Sequence, residues 1–156
     1  MRGRLERAAS FFDFSGQCVF CAMLESELKE KSRIVLETEN FVAFMPYASF
    51  APFTTWIFPR RHSASFADIS DRETKDLAKN LKTALGRLYY GLDNPDFNYS
   101  IRSIPVEERG VEYFHWYISV IPRLTQPAGF ELGSGMFINT ALPEQAAEFL
   151  RQAKSA

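Results

Sequence analysis

Glu112-Tyr113-Phe114-His115-Trp116-Tyr117-Ile118-Ser119-Val120-Ile121 is the stretch that decides the fold. In an extended chain Phe114, Trp116, Ile118 and Val120 share one face, and Tyr113, His115, Tyr117 and Ser119 share the other. This period of two predicts a strand with an apolar side against a core and a more polar side carrying His115. Asn98 to Ile104 predicts a strand just before it. Upstream, Arg33 to Thr38, Phe41 to Met45 and Thr54 to Phe58 are rich in β-branched and aromatic residues and predict three more. Glu39-Asn40 has the spacing of a hairpin turn, and Pro46, Pro52 and Pro59 bound the later runs because proline cannot donate to a ladder.

Helices are predicted around this sheet. Leu5, Ala8, Ala9 and Phe12 lie at helical spacing before the stop signal Ser15-Gly16. A second helix follows Cys18-Val-Phe-Cys21, with Met23, Leu24 and Leu28 inward and Glu25, Glu27, Lys29, Glu30 and Lys31 solvated. Ser70-Asp-Arg-Glu73 has the form of a capping box ahead of Leu77, Leu81, Ala84, Leu85 and Leu88, all on one helical stripe. Gly129, Gly133 and Gly135 make their segment too glycine-rich for ordinary strand, and Pro143 opens a last helix with Ala146, Phe149 and Leu150 inward. The class is α+β, an antiparallel sheet with packed helices, in one domain over residues 1–156. That length is enough to bury a core without staples.

Charge and composition narrow the partners. Eighteen basic and nineteen acidic residues give a formal charge of −1. No like-charge run favours nucleic acid or an anionic membrane surface. No apolar stretch approaches the roughly 18 residues of a spanning helix, and the first residues lack the apolar core of a signal peptide. The expected compartment is the cytoplasm, where two cysteines remain thiols.

The chain has two cysteines and two histidines. Cys18 and Cys21 form a C-x-x-C turn able to give two thiolates to one ion, which alone is compatible with metal, a redox pair or two buried thiols. A redox pair is expected within a βαβ unit, whereas this turn precedes the first strand. His62 and His115 lie too far along the chain for zinc-finger spacing. Taken singly, they read as a solvated loop residue and a hydrogen-bonded strand residue.

Ordered segments resolve these alternatives by resemblance. Cys18-Val-Phe-Cys21, Glu37-Thr-Glu39, Pro46-Tyr-Ala, Ala51-Pro-Phe53, Trp56-Ile-Phe-Pro59, Arg61-His62-Ser63, His115-Trp116, Ile121-Pro-Arg123 and Gly129-Phe-Glu-Leu-Gly-Ser-Gly135 occur in one order. Together they resemble the C-terminal half of galactose-1-phosphate uridylyltransferases and ADP-glucose phosphorylase-like proteins, within the histidine-triad superfamily. The resemblance implies a histidine-triad-like sheet, nucleotidyltransferase chemistry in carbohydrate metabolism, and a structural zinc held by Cys18, Cys21, His62 and His115, with iron as the alternative metal. It also implies hexose-phosphate or nucleotide-sugar contacts from Gly129, Phe130, Gly133, Ser134 and Gly135. On the residues alone, that segment reads as a plain turn. Arg60, Arg61 and Arg123 are further candidates for phosphate.

The departures from the family pattern matter as much. A histidine triad has three alternating histidines, and here Tyr117 and Ser119 follow His115. The His-Pro-His motif that supplies the family's nucleophile is absent from these residues. A transferase of this kind needs a neutral imidazole aimed at phosphorus. With both histidines on metal, the chain has no catalytic residue of its own and is expected to be inactive alone. Its expected partner is an N-terminal catalytic lobe or a second copy in a homodimer. The competing reading is a stand-alone zinc-binding interaction module without catalysis. An independent histidine-triad hydrolase is disfavoured by Tyr117 and Ser119.

Overall fold

The computed structural model describes residues 2–155. Helix α1 (Arg2–Ser15) stops at Gly16, whose φ of 68° is the left-handed conformation glycine adopts without strain. Cys18 is then the extended N-cap of α2 (Val19–Glu30), so the C-x-x-C turn straddles a helix start. Strands β1 (Ile34–Glu37), β2 (Phe41–Phe44) and β3 (Thr55–Pro59) follow. Helix α3 (Asp71–Gly91), β4 (Phe97–Arg102), β5 (Tyr117–Pro122), the short α4 (Gly129–Ser134) and α5 (Pro143–Gln152) complete the order. The five strands make one antiparallel sheet ordered β1-β2-β3-β5-β4.

Alternation along the central strands divides the core. Phe41, Ala43, Met45, Ile57, Trp116, Ile118 and Val120 pack beneath Leu77, Ala84 and Leu88 of α3 and Ala146, Ala147 and Leu150 of α5. On the opposite side Val42, Phe44, Phe58 and Tyr117 meet Ala8 of α1 and Phe20 and Leu24 of α2. The Phe58 and Tyr117 rings stack there with centroids 4.7 Å apart. The predicted capping box is formed in full: Ser70 accepts from the Glu73 N–H, and Glu73 reaches back to the Ser70 N–H.

Four expectations are corrected. The predicted strand from Glu112 begins only at Tyr117, and the irregular backbone before it sends Phe114 to the α1–α2 side rather than alongside Trp116. His115, expected on a more polar face, is fully buried. Glu27, expected to be solvated, is buried because Arg33 comes to it, at 2.9 Å, while also bonding Glu30 and Glu144. Burial pushes the Glu27 carboxyl above its ordinary range, against the pull of Arg33. Phe149 was expected inward; it is nearly half exposed, with its ring edge-on to Phe53.

Candidate metal centre

The sheet brings distant soft side chains together. Cys18 and Cys21 are fixed by the start of α2, His62 by the loop leaving β3, and His115 by the irregular segment entering β5. The pairing of β3 with β5 draws the two histidine segments side by side, and the Trp116 N–H donates to the Ser63 carbonyl. The Cys21 Sγ lies 3.0 Å from His62 Nδ1 and 3.3 Å from His115 Nδ1. The donor atoms of Cys18, Cys21 and His62 all lie within 4.8 Å of one another. Phe58 packs edge-on against the His115 ring and walls the cluster from the sheet.

The protonation states suit a cation. Cys18 is held down to about 6, chiefly by the hydrogen bond from the Cys21 thiol, while the same bond pushes Cys21 upward. One proton is shared between two sulfurs, and a metal would displace it. Burial pushes His115 down to about 3, and the neighbouring His62 adds to the fall. Burial lowers His62 as well. Both imidazoles are therefore neutral at physiological pH, the form that donates a lone pair. A tetrahedral ion bonded at 2.0–2.3 Å sets its ligands about 3.3–3.8 Å apart, so the nitrogen–sulfur separations here fit within a few tenths of an ångström. Two thiols and neutral imidazoles form a donor set suited to zinc or to another soft divalent ion.

The glycine-rich segment is not an open loop. Residues 129–134 form α4, and Gly135 follows with a φ of 70°, closing the helix in the left-handed conformation. Gly129, Phe130, Gly133, Ser134 and Gly135 all lie exposed on the surface. Beside them is a cavity of about 390 Å³ whose walls include Phe50, Asn98, Arg123, Gln126, Glu131 and Ile138. Glu131, which sequence reasoning passed over, is the α4 residue that lines it; a carboxylate flanked by glycines was the available signal. Of the three arginines considered for phosphate, Arg60 is paired with Glu37 and Arg61 with Glu73, which removes both from that role. Arg123 faces the cavity.

Residues 5–155 match the family described as galactose-1-phosphate uridyl transferase, C-terminal domain. An ADP-glucose phosphorylase of Arabidopsis thaliana is 34% identical over 151 residues, covering 96% of this chain and 42% of its own length. The solved structure of an Arabidopsis thaliana ADP-glucose phosphorylase with bound ADP-glucose superposes with a TM-score of 0.85 at 33% identity, over 97% of this chain and 48% of that one. A zinc-bound histidine triad family protein from Mycobacterium smegmatis shares the fold alone, with a TM-score of 0.58 at 23% identity over 86% of this chain and 90% of that one. The chain spans about half the length of the uridylyltransferase and phosphorylase relatives it matches. Ordered motifs, a histidine-triad sheet and a match along almost every residue agree: the chain belongs to the galactose-1-phosphate uridyl transferase family and comprises that family's C-terminal domain.

Proposed function

We propose that this domain is a zinc-held lobe of a sugar-phosphate nucleotidyltransferase, contributing hexose-phosphate contacts while another lobe supplies the nucleophile. The observation that carries this reading is the position of both histidines: each has its Nδ1 against the Cys21 sulfur. No other imidazole exists in the chain to attack phosphorus. Cys18, Cys21, His62 and His115 would hold the ion. Bound zinc would supply a crosslink between the start of α2, the loop after β3 and the segment entering β5, with no part in proton or phosphoryl transfer. Gly129, Phe130, Gly133, Ser134 and Gly135 would shape the rim of the cavity that Arg123 and Glu131 line, where a guanidinium suits a phosphate and a carboxylate suits sugar hydroxyls.

Support for a second lobe comes from the sheet edge. The outer strand β4 turns Phe97, Tyr99 and Ile101 toward solvent on the α3 side, and Tyr89 and Tyr90 extend this apolar surface. A groove of about 340 Å³ runs between α3 and β4, lined by Leu85, Tyr89, Pro95 and Phe97 among others. An unpaired, apolar edge is a template for further pairing. The partner that suits it is another histidine-triad-like lobe, of which the relatives' remaining length leaves room for one.

The test combines three measurements on the purified chain. Elemental analysis should give one zinc per chain, lost on changing any of the four ligands. Exchange between UDP-glucose or ADP-glucose and a hexose phosphate should be absent; turnover by this chain alone would refute the division of labour. Size-exclusion mass should show a dimer, or a monomer that gains a catalytic lobe when one is co-expressed. A monomer that ignores such a lobe and binds no hexose phosphate would leave the interaction-module reading in its place.

A further inference from the structure

A second polar cavity lies on the α1–α2 side and shares no lining residue with the thiol–imidazole cluster or the α4 segment. It measures about 340 Å³ and is lined by Gly3, Arg4, Leu5, Arg7, Arg102 and Phe114. Its walls contain three guanidinium groups and no carboxylate. Elsewhere Arg33, Arg60, Arg61, Arg72 and Arg109 each pair with an acidic side chain, and Arg87 and Arg151 donate to backbone carbonyls. Among the described residues, Arg4, Arg7 and Arg102 pair with none. Three cations around one cavity repel each other, and an anion between them would relieve that repulsion.

The local structure explains the convergence. Arg4 and Arg7 are one turn apart and so face the same way from α1. Arg102, at the end of β4, lies opposite Tyr117 of β5, and Arg4 donates to the Tyr117 hydroxyl. This bond uses one donor of the Arg4 fork and anchors it over the sheet. The Arg102 Nε is buried and has no hydrogen-bond partner, and the Ser100 hydroxyl, two residues back on the same face, is also buried and unpartnered. Unmade bonds of this kind are costly in a folded protein and mark places where a ligand completes the set.

We propose that Arg4, Arg7 and Arg102 form an oxyanion site for a phosphate group. Guanidinium forks match tetrahedral oxyanions bidentately. The cavity exceeds the volume of inorganic phosphate, so it also admits the phosphate end of a small organic ester. The site does not depend on the metal centre or on the α4 reading: it stands at the Arg102 end of β4, while the Arg123–Glu131 cavity touches Asn98 at the other end, about 13 Å along the strand.

The experiment is calorimetric titration of the 156-residue chain with inorganic phosphate, a hexose 1-phosphate and a nucleoside diphosphate in turn, at constant ionic strength. Arg102→Gln, Arg7→Gln and Arg4→Gln are titrated beside it, with Arg123→Gln as the variant of the other cavity. Binding of all three ligands weakened about tenfold or more by Arg102→Gln or Arg4→Gln, and unchanged by Arg123→Gln, is the expected result. Binding of the organic esters alone would identify an ester site, and binding of all three an unselective phosphate site; both support the proposal when the arginine variants weaken them. Circular dichroism and metal content of the variants guard against misfolding, and backbone amide shifts at Ser100 and Arg102 on adding phosphate to the unmodified chain give a readout without mutation. No binding of any phosphate below about 1 mM, or binding indifferent to all three arginines, overturns it.

Discussion

The two faces of the sheet are held by different means. Under α3 and α5 the contacts are aliphatic and aromatic, with Trp116, Phe41 and Leu150 buried completely or nearly so. Under α1 and α2 a smaller apolar cluster meets a thiol–imidazole group at one end and three unpaired arginines at the other. A long amphipathic helix such as α3 can dock by burying its stripe. The shorter helices α1 and α2 dock through Ala8, Phe20 and Leu24, and the soft ligands stand where a metal would crosslink them to the sheet. Both faces carry a buried core, but the groups with unmet bonding capacity gather on the α1–α2 side.

Metal removal should split the faces most. Chelation, or Cys21→Ser, is expected to cost more than about 5 kcal/mol, because an ion bound only by the folded chain adds its binding energy to folding. Hydrogen exchange should rise first in α1 and α2 and least in α3. A melting temperature indifferent to chelator would erase the contrast. Next, Leu150→Ala should cost about 4 kcal/mol through the cavity it leaves, measured by denaturant unfolding, with metal content unchanged. Loss of zinc in that variant would mean that the faces are not independent.

Arg33 is the exception that joins them, since it bonds Glu27 and Glu30 of α2 and Glu144 of α5. Burial works against its cation, but the bonds to Glu144 and Glu27 outweigh it and hold the pKa above the ordinary arginine value. Arg33→Met should cost about 3 kcal/mol by stranding Glu27, and adding Glu27→Leu should recover most of it. A double variant as unstable as the single would assign the loss to packing.

The smallest effects belong to the start of α3. Ser70→Ala should cost about 1 kcal/mol by removing the cap. Arg61 beside it holds the Glu73 carboxyl down to about 2, from an ordinary 4.5. Because the folded value is depressed, this contribution is complete above the ordinary carboxylate pKa and is lost as pH falls toward 2. Arg61→Ala should flatten acid unfolding in that window by lowering stability at neutral pH while leaving it unchanged near pH 2, and the neutral-pH loss should be small, since Arg61 itself is half exposed.

What the residues revealed on their own was local. The α3 cap needs only Ser70 and Glu73 three positions apart, and the β1–β2 hairpin only Glu39-Asn40, so both could be read directly from spacing. The thiol pair was visible for the same reason. Other features depended on partners distant in sequence. Glu27 read as solvated because nothing beside it announces Arg33 and Glu144. Residues 112–116 read as strand because their alternation continues into β5, although their backbone bends where His115 turns toward Cys21.

Composition and spacing by themselves determined the α+β class, the capped helix and the inventory of soft ligands, since each depends on neighbours within a turn or a hairpin. Only the tertiary structure decided that two histidine segments meet one cysteine turn, that Arg60 and Arg61 are consumed by carboxylates, and that Arg4, Arg7 and Arg102 face one cavity unpaired. The physical reason is that bond formation and charge pairing depend on distance in space, and strand pairing across the sheet sets that distance without leaving a periodic trace in the chain.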